Sequence, residues 1–286
     1  MLRCIFKGLN AVKSVHGTKV RLFSFTNMSA KVNVVAKGSF DANHQLYDKV
    51  RPGFIPVAVD YLVKGLDVKA GGRVVDLAAG TGKFTRAITD RGLDLVAVEP
   101  SEGMIESFRQ NFPDIPCLQG DSYNIPLDDE SADGVTVAQA FHWFSDHQSL
   151  KEIARVLKPG AKVALIWNYE DLDSTPENGW QRQVTNYVHS FDSGVPQYRH
   201  GHWFKAFENQ SYFKTPYQED HFKFEKEYKP SEIWPYWQSR SYITALPQDK
   251  QMEIKAKIEQ MIANSSDATD PLVAKRGVHV VIAEKQ

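Results

Sequence analysis

The sequence predicts an α/β fold with a doubly wound, mostly parallel sheet and a largely helical insert before the last strands. From residue 54 to residue 167, short apolar runs alternate with segments whose apolar residues recur at helical spacing. Such alternation indicates parallel strands joined by right-handed helical crossovers. The alternation stops after Trp167, where aromatic and polar residues take over. The insert is therefore expected to begin at residue 168.

The first half of the chain supplies five strands and four helices. Gly71 and Gly72 separate the first helix from the first strand, and Ser101 is a natural N-cap with an acid, Glu102, in the turn that follows. Helices are expected at Pro56–Leu66, Phe84–Arg91, Ser101–Phe112 and His147–Leu157, the last ended by Pro159-Gly160. Strands are expected at Arg73–Leu77, Leu93–Val98, Ile115–Gln119, Gly134–Ala138 and Ala161–Trp167.

The second half of the chain is expected to place the insert at residues 168–272 and to complete the sheet. Alternation of polar and apolar residues predicts a strand at Gln218–Glu227, and an apolar run predicts a last strand at Val278–Ala283. Helices are expected at Ser231–Tyr236 and Pro247–Ile262. Residues 41–286 would then form a single domain.

Composition narrows the class of partner. The 286 residues carry a net charge of −1, and proteins that bind nucleic acids or membrane surfaces usually carry a basic excess. No apolar run reaches the roughly 18 residues that cross a bilayer. A small-molecule substrate is therefore favoured over nucleic acid or membrane, and the oligomeric state is left open.

The cysteines indicate neither a disulfide framework nor a metal site. Cys4 and Cys117 are the only two in the chain, which is too few for a zinc site built on thiolates. Cys117 lies in an apolar run and is expected to be a small core residue.

The first 40 residues contain no aspartate or glutamate but several lysines and arginines, with serines between them. This composition is typical of a mitochondrial transit peptide. A disordered basic tail, or a start at Met28 with a cytoplasmic protein, is the alternative. If the segment is a transit peptide, residues 1–40 fused to a fluorescent protein should enter mitochondria. A diffuse cytosolic signal would contradict it.

A glycine-rich turn follows the first strand and carries the strongest chemical signal. The strand ends in Asp76, and small residues run to Gly82 before the next helix, so that the backbone can come close to a ligand. A nucleotide P-loop would need glycine at position 77, which is Leu77. A dinucleotide fingerprint would need a third glycine at position 85, which is Thr85.

This turn resembles the first motif of class I S-adenosylmethionine-dependent methyltransferases, which have a Rossmann-like fold. Ala78 stands where the family has its first glycine. The resemblance implies that Gly80 and Gly82 pass the methionine part of the donor. It also implies that Asp76 holds the donor's ammonium group directly or through water. S-adenosylmethionine is thus the expected methyl donor.

Acids after the next two strands extend the resemblance. Glu99 ends the second strand, where an acid in such folds accepts the ribose hydroxyls. Asp121 follows the third strand. The resemblance implies that Asp121 binds the adenine amino group and that the backbone N–H of Ser122 meets a ring nitrogen. An ordinary turn capped by Asp121 is the alternative. Dehydrogenases use an acid like Glu99 but have no need of one like Asp121.

The fourth strand leads into a run that resembles the small-molecule branch containing trans-aconitate methyltransferase-like proteins. The resemblance places Gln139 and His142 beside the transferable methyl group. His142 is a candidate general base, and a packed, hydrogen-bonded histidine is the alternative. The Asn/Asp-Pro-Pro-aromatic run of DNA amino-methylating enzymes is absent here.

These motifs predict a methyltransferase acting on a small molecule. Because no dedicated base is evident and a carboxylate needs none, a carboxylate acceptor is favoured. Arg51, Arg199 and His202 are candidate clamps for it, with solvated surface positions as the alternative for the last two. Residues 47–52 resemble a stretch that lies over the donor site. An NAD(P)-dependent oxidoreductase and a non-catalytic binding member of the fold remain as rival hypotheses.

Overall fold

The computed structural model describes residues 50–192 and 194–286. The predicted transit peptide, at residues 1–40, lies outside the described residues. So do residues 47–49 of the stretch expected over the donor site.

The described residues form a seven-stranded sheet with the order β3-β2-β1-β4-β5-β7-β6. The strands are β1 Arg73–Leu77, β2 Asp94–Glu99, β3 Cys117–Gln119, β4 Ala132–Ala138, β5 Leu157–Glu170, β6 Gln218–Tyr228 and β7 Leu272–Glu284. β1 pairs in parallel with β2 and β4, while β7 runs antiparallel to both of its neighbours, β5 and β6. The predicted mostly parallel, doubly wound sheet is confirmed.

Helices cover the sheet and build the insert. They are α1 Pro56–Leu66, α2 Thr85–Ile88, α3 Glu102–Asn111, α4 His147–Val156, α5 Trp180–His189, α6 Pro230–Gln238, α7 Ser241–Thr244 and α8 Gln248–Ala263. Ser101 caps α3 as predicted, its side chain accepting a hydrogen bond from the Met104 amide. None of the described helices is both long enough and apolar enough to span a bilayer.

Several predicted elements differ from the observed ones in their bounds, among them the last strand, which begins at Leu272 and not at Val278. The helix expected at Phe84–Arg91 breaks at Ile88, whose φ of −122° is not helical, and a 3₁₀ turn follows. β-branched residues such as Thr85, Ile88 and Thr89 favour helix less than unbranched ones do. β5 begins at Leu157, earlier than expected, because Leu157 pairs with Ala132 and a register shift in the ladder takes up Pro159-Gly160.

The insert has an apolar core of its own. Helices α5, α6 and α8 contribute to it, with Trp180, Val184, Trp237 and Ile254 all buried. A separate core lies between α4 and one face of β4 and β5. The core of the insert also includes Tyr228 of β6 and Leu272 of β7, so the insert packs on the last two strands of the sheet.

Candidate active site

The glycine-rich turn is tied to the end of β2 by one carboxylate. Glu99, only 6% exposed, accepts a hydrogen bond from the Gly80 amide (2.9 Å) through Oε2 and one from the Ser101 amide (3.0 Å) through Oε1. Parallel strands β1 and β2 bring their carboxyl ends together at this edge of the sheet. Each carboxylate oxygen can accept a further bond, so Glu99 can also receive ligand hydroxyls.

The turn requires left-handed backbone at three positions. Gly80 has φ +58° and Gly82 has φ +85°, values that glycine adopts without strain. Ala78 also has φ +58°, which costs an L residue roughly 1 kcal/mol. Ala78 thus adopts a backbone conformation that glycine takes without strain.

The two glycines have different surroundings. Phe112 is the residue that follows α3. A Cβ on Gly82 would lie 2.3 Å from a carbon of the Phe112 ring, so glycine at this position lets the ring pack closely against the turn. A Cβ on Gly80 would meet nothing nearer than the Met104 sulfur at 3.9 Å. A Cβ on Gly80 would therefore meet open space, and the contact of Gly80 with the methionine part of the donor stays a prediction.

Asp76 lies beneath the turn. It is 1% exposed and accepts hydrogen bonds from the Thr85 hydroxyl (2.6 Å) and the Thr136 hydroxyl (3.3 Å). Burial raises the pKa of Asp76 to about 6, against the opposing effect of these bonds. In the structure Asp76 connects β1 to α2 and β4, and its contact with the donor's ammonium group remains a prediction.

This buried carboxyl is expected to make the free energy of unfolding depend on pH. The unfolded side chain titrates near pH 3.9, so between about pH 4 and 6 the native state binds more protons than the unfolded state, and the free energy of unfolding falls as pH rises. Two pKa units correspond to about 3 kcal/mol. In urea unfolding at pH 4 to 7, Asp76→Asn should lack this decline. A constant difference between wild type and variant would contradict the assignment.

Asp121 caps a turn after β3. Its Oδ1 accepts hydrogen bonds from the amides of Tyr123 (2.8 Å) and Asn124 (3.0 Å). Its Oδ2 accepts none from the part of the chain that the structure describes. The capping role and the predicted adenine contact therefore use different oxygens and are compatible. Ser122 is buried beside it.

Gln139 stands at the carboxyl end of β4 in left-handed conformation, with φ +58°. Its amide donates to the Ile166 carbonyl (2.8 Å) and its side chain to the Asn168 carbonyl (3.4 Å), both in β5. These bonds turn the chain sharply and bring the following residues, 140–146, over the strand ends.

A cavity of about 670 Å³ opens beside these residues. It lies between the segments that follow β3 and β4 and part of the insert. Tyr123, His142, Trp143, His200, His202 and Trp203 are among the residues that line it. Aromatic walls with a few polar groups are typical of small-molecule sites. Of the three predicted clamps, His202 lines this cavity.

The other two predicted clamps have protein partners. Arg51 donates to the side chain and carbonyl of Ser239 and lies over the Tyr236 ring at 5.6 Å. Arg199 forms an ion pair with Asp192. Arg51 thus joins the start of the described chain to the insert, and Arg199 acts within the insert.

His142 has a defined hydrogen-bonding state. The indole N–H of Trp167, which can only donate, lies 3.3 Å from His142 Nδ1. Nδ1 therefore carries a lone pair, and the single proton of the neutral ring is on Nε2. Burial, and then the neighbouring side chains of Arg240, His200 and Arg199, lower the pKa of His142 to about 3. His142 is thus a neutral donor through Nε2, which favours the packed alternative over a general base.

A buried ionic network that joins β5 and β7 to the insert was not predicted from the sequence. Glu170, at the end of β5, accepts hydrogen bonds from Tyr236, Arg240 and Arg276. Burial alone would raise the pKa of Glu170, but the charges of Arg240 and Arg276 outweigh it and hold that pKa well below its usual value. Two arginines therefore face the Glu170 carboxylate from the α6–α7 connection and from β7. An acid ending an otherwise apolar strand was the only sequence signal for it.

Comparison with known proteins shows that the chain is similar to methyltransferases. A family profile described as a methyltransferase domain matches residues 75–165. An uncharacterized methyltransferase of Mycobacterium tuberculosis is 42% identical over 146 residues, which are 51% of this chain and 57% of the relative. The chain thus spans little more than half the length of that relative. An uncharacterized methyltransferase-like protein of Schizosaccharomyces pombe is 31% identical over 216 residues, covering 75% of this chain and 82% of the relative.

Solved structures agree on the fold. A candidate type II methyltransferase from Anaeromyxobacter dehalogenans superposes with a TM-score of 0.57 at 20% identity, covering 82% of this chain and 97% of that one. The matched profile spans β1 to β5, the part of the chain that carries the turn, Glu99 and Asp121. These matches do not favour the oxidoreductase hypothesis. The chain belongs to the class I S-adenosylmethionine-dependent methyltransferases.

Proposed function

We propose that this protein transfers a methyl group from S-adenosylmethionine to a small carboxylic acid. The observation that carries the proposal is the cavity beside the carboxyl end of β4, in which His142 is a neutral donor rather than a base. A carboxylate is ionised at neutral pH and needs no base, only a group that orients it. When bound, the sulfonium of the donor supplies a methyl group that is open to in-line attack.

The donor side is assigned to the strand ends of β1, β2 and β3. Gly80 leaves room for the methionine part, Glu99 would accept the ribose hydroxyls, and Asp121 would use its Oδ2 for the adenine amino group. Ser122 follows Asp121 in the sequence and Gln139 follows β4, and these two residues complete the proposed set. The fixed backbone of the turn would hold the reacting carbon in place, which is how an enzyme lowers the barrier to such a displacement.

The acceptor side is assigned to the residues around the cavity. His200 and His202 line it, and Arg199 and Arg240 lie near enough to depress the pKa of His142. Arg199 is paired with Asp192 and Arg240 with Glu170, and Asp146 also lines the cavity, so hydrogen-bond donors rather than net positive charge would orient an acid there. The imidazoles of His200 and His202 can donate hydrogen bonds to carboxylate oxygens, while Trp143 and Trp203 would pack against an apolar body.

The run after β4 supports the proposal that this chain belongs to the branch containing trans-aconitate methyltransferase-like proteins. A demethylmenaquinone methyltransferase of Paenarthrobacter aurescens, 37% identical over 105 residues (36% of this chain and 42% of the relative), supports a small molecule as the class of acceptor.

A screen with methyl-labelled S-adenosylmethionine tests the proposal. Small acids, phenols, amines, RNA and protein extracts would be offered, and base-labile label in the small acids is expected, since methyl esters hydrolyse in base. Stable label in RNA or protein would overturn it. S-adenosylhomocysteine should raise the melting temperature by mass action, and NAD should not. Donor binding with no label in any fraction would indicate a non-catalytic member of the fold.

His142→Gln tests the role of the histidine. The glutamine amide can accept from Trp167 and still donate, so activity is expected to stay within about tenfold of wild type. Loss of a general base costs roughly 10²–10⁴ in rate. His147→Gln, at an exposed position in the first turn of α4, is the matched control. A loss of a hundredfold or more in the His142 variant alone would show that proton transfer passes through this ring.

A further inference from the structure

Two histidines lie opposite each other on the edge strand β6 and on its neighbour β7. His221 of β6 pairs with His279 of β7, and their rings stack with centroids 4.0 Å apart and an interplanar angle of 8°. Glu219 is two residues from His221 along β6 and therefore on the same face. Its Oε2 lies 3.2 Å from His279 Nε2.

We propose that Glu219, His221 and His279 bind a divalent cation of the zinc class. Within residues 50–192 and 194–286, this is the one group of three such side chains whose ligand atoms all lie within 4.8 Å of one another. Two imidazoles and a carboxylate are a donor set that suits Zn²⁺, Cu²⁺ and Ni²⁺. Three protein ligands leave a fourth position for water.

The Nδ1 atom of each histidine ring already lies within hydrogen-bond distance of a tyrosine hydroxyl. Tyr198 Oη lies 2.9 Å from His279 Nδ1, and Tyr169 Oη lies 3.3 Å from His221 Nδ1. A histidine that binds a metal through one nitrogen commonly donates from the other to an oxygen, which fixes its tautomer. With Nδ1–H directed to each tyrosine, Nε2 of each ring would offer its lone pair to the cation.

One of the three side chains in the cluster is buried and fixed by packing, and the other two are exposed and can change conformation. His279 is 3% exposed and its ring packs against Trp167 and Trp203. Glu219 and His221 are exposed on the edge strand. Tetrahedral ligands at 2.0–2.1 Å from zinc are roughly 3.4 Å apart. The stacked rings must therefore open and the ligand atoms approach by about an ångström, which the two exposed side chains can do.

The position of the cluster indicates a structural rather than a catalytic ion. His279 contacts Trp203, which lines the cavity, and Trp167, which donates to His142. The ion would sit behind this aromatic wall and join the edge strand β6 to β7. Metal binding should therefore stabilise the native protein, and it can be measured without donor or acceptor present.

Calorimetric titration of the full-length, chelator-treated protein with ZnCl₂ tests the site. One equivalent should bind with a dissociation constant of about 10 μM or tighter and raise the melting temperature, and Co²⁺ should give the strong visible absorption of four-coordinate cobalt. His221→Ala and Glu219→Gln, both at exposed positions, should each weaken zinc binding at least tenfold. His147→Ala, another exposed histidine, should not.

Two outcomes would overturn the site. One is a wild-type protein that takes up no zinc at 100 μM. The other is a folded His221→Ala variant, checked by circular dichroism, that binds zinc as wild type does.

Discussion

Replacing Glu99 by alanine is expected to weaken S-adenosylhomocysteine binding by about 5- to 150-fold. A lost hydrogen bond to a buried charged group costs about 1–3 kcal/mol, and 1.4 kcal/mol is tenfold in affinity. The effect should be large because Glu99 is held in place by the amides of Gly80 and Ser101. The variant would remove both the proposed ribose acceptor and the tie that positions the turn.

Glu102→Ala is the matched control for this measurement. Glu102 is also an acid near the end of β2, but it is exposed in the first turn of α3. Its removal should leave donor affinity within about twofold. Calorimetry on both variants, with circular dichroism to verify folding, separates the two positions. Unchanged affinity in folded Glu99→Ala would show that this acid does not contact the ribose.

Replacing Gly82 by alanine is expected to cost about 2–5 kcal/mol in the free energy of unfolding. Left-handed backbone costs an L residue roughly 1–2 kcal/mol. The new Cβ would also lie 2.3 Å from the Phe112 ring, and such overpacking typically adds about 1–3 kcal/mol. Urea unfolding of the variant and the wild type, with the midpoint and the slope of each curve compared, measures the loss.

Gly92→Ala isolates the backbone contribution. Gly92 has φ +68°, close to that of Gly82, but a Cβ there would meet nothing within 4 Å. This variant should lose only about 1–2 kcal/mol. Equal losses at both positions would show that Phe112 moves aside and that close packing is not why position 82 is glycine.

The two sides of the proposed site differ in how closely the sequence specifies them. The donor side lies within one continuous stretch, where strand, turn and helix follow each other and the acids end the strands. The structure brings its residues together at one edge of the sheet: Glu99 accepts a hydrogen bond from Gly80, and Asp76 lies under the same turn. The acceptor side comes from segments far apart in the chain, so residue patterns gave only candidates, and one of three predicted clamps lines the cavity.

The sequence by itself determined the order of strands and helices between residues 54 and 167, the glycine-rich turn and the acids at the strand ends. These follow from hydrophobic periodicity and turn chemistry, which act over a few residues. It did not determine that His142 lies under the indole N–H of Trp167, or that Glu170 meets two arginines. Nor did it show that β7 enters between β5 and β6 and sets His279 beside His221. Only the tertiary structure decides these contacts, because they join residues far apart in the chain and depend on how whole elements pack.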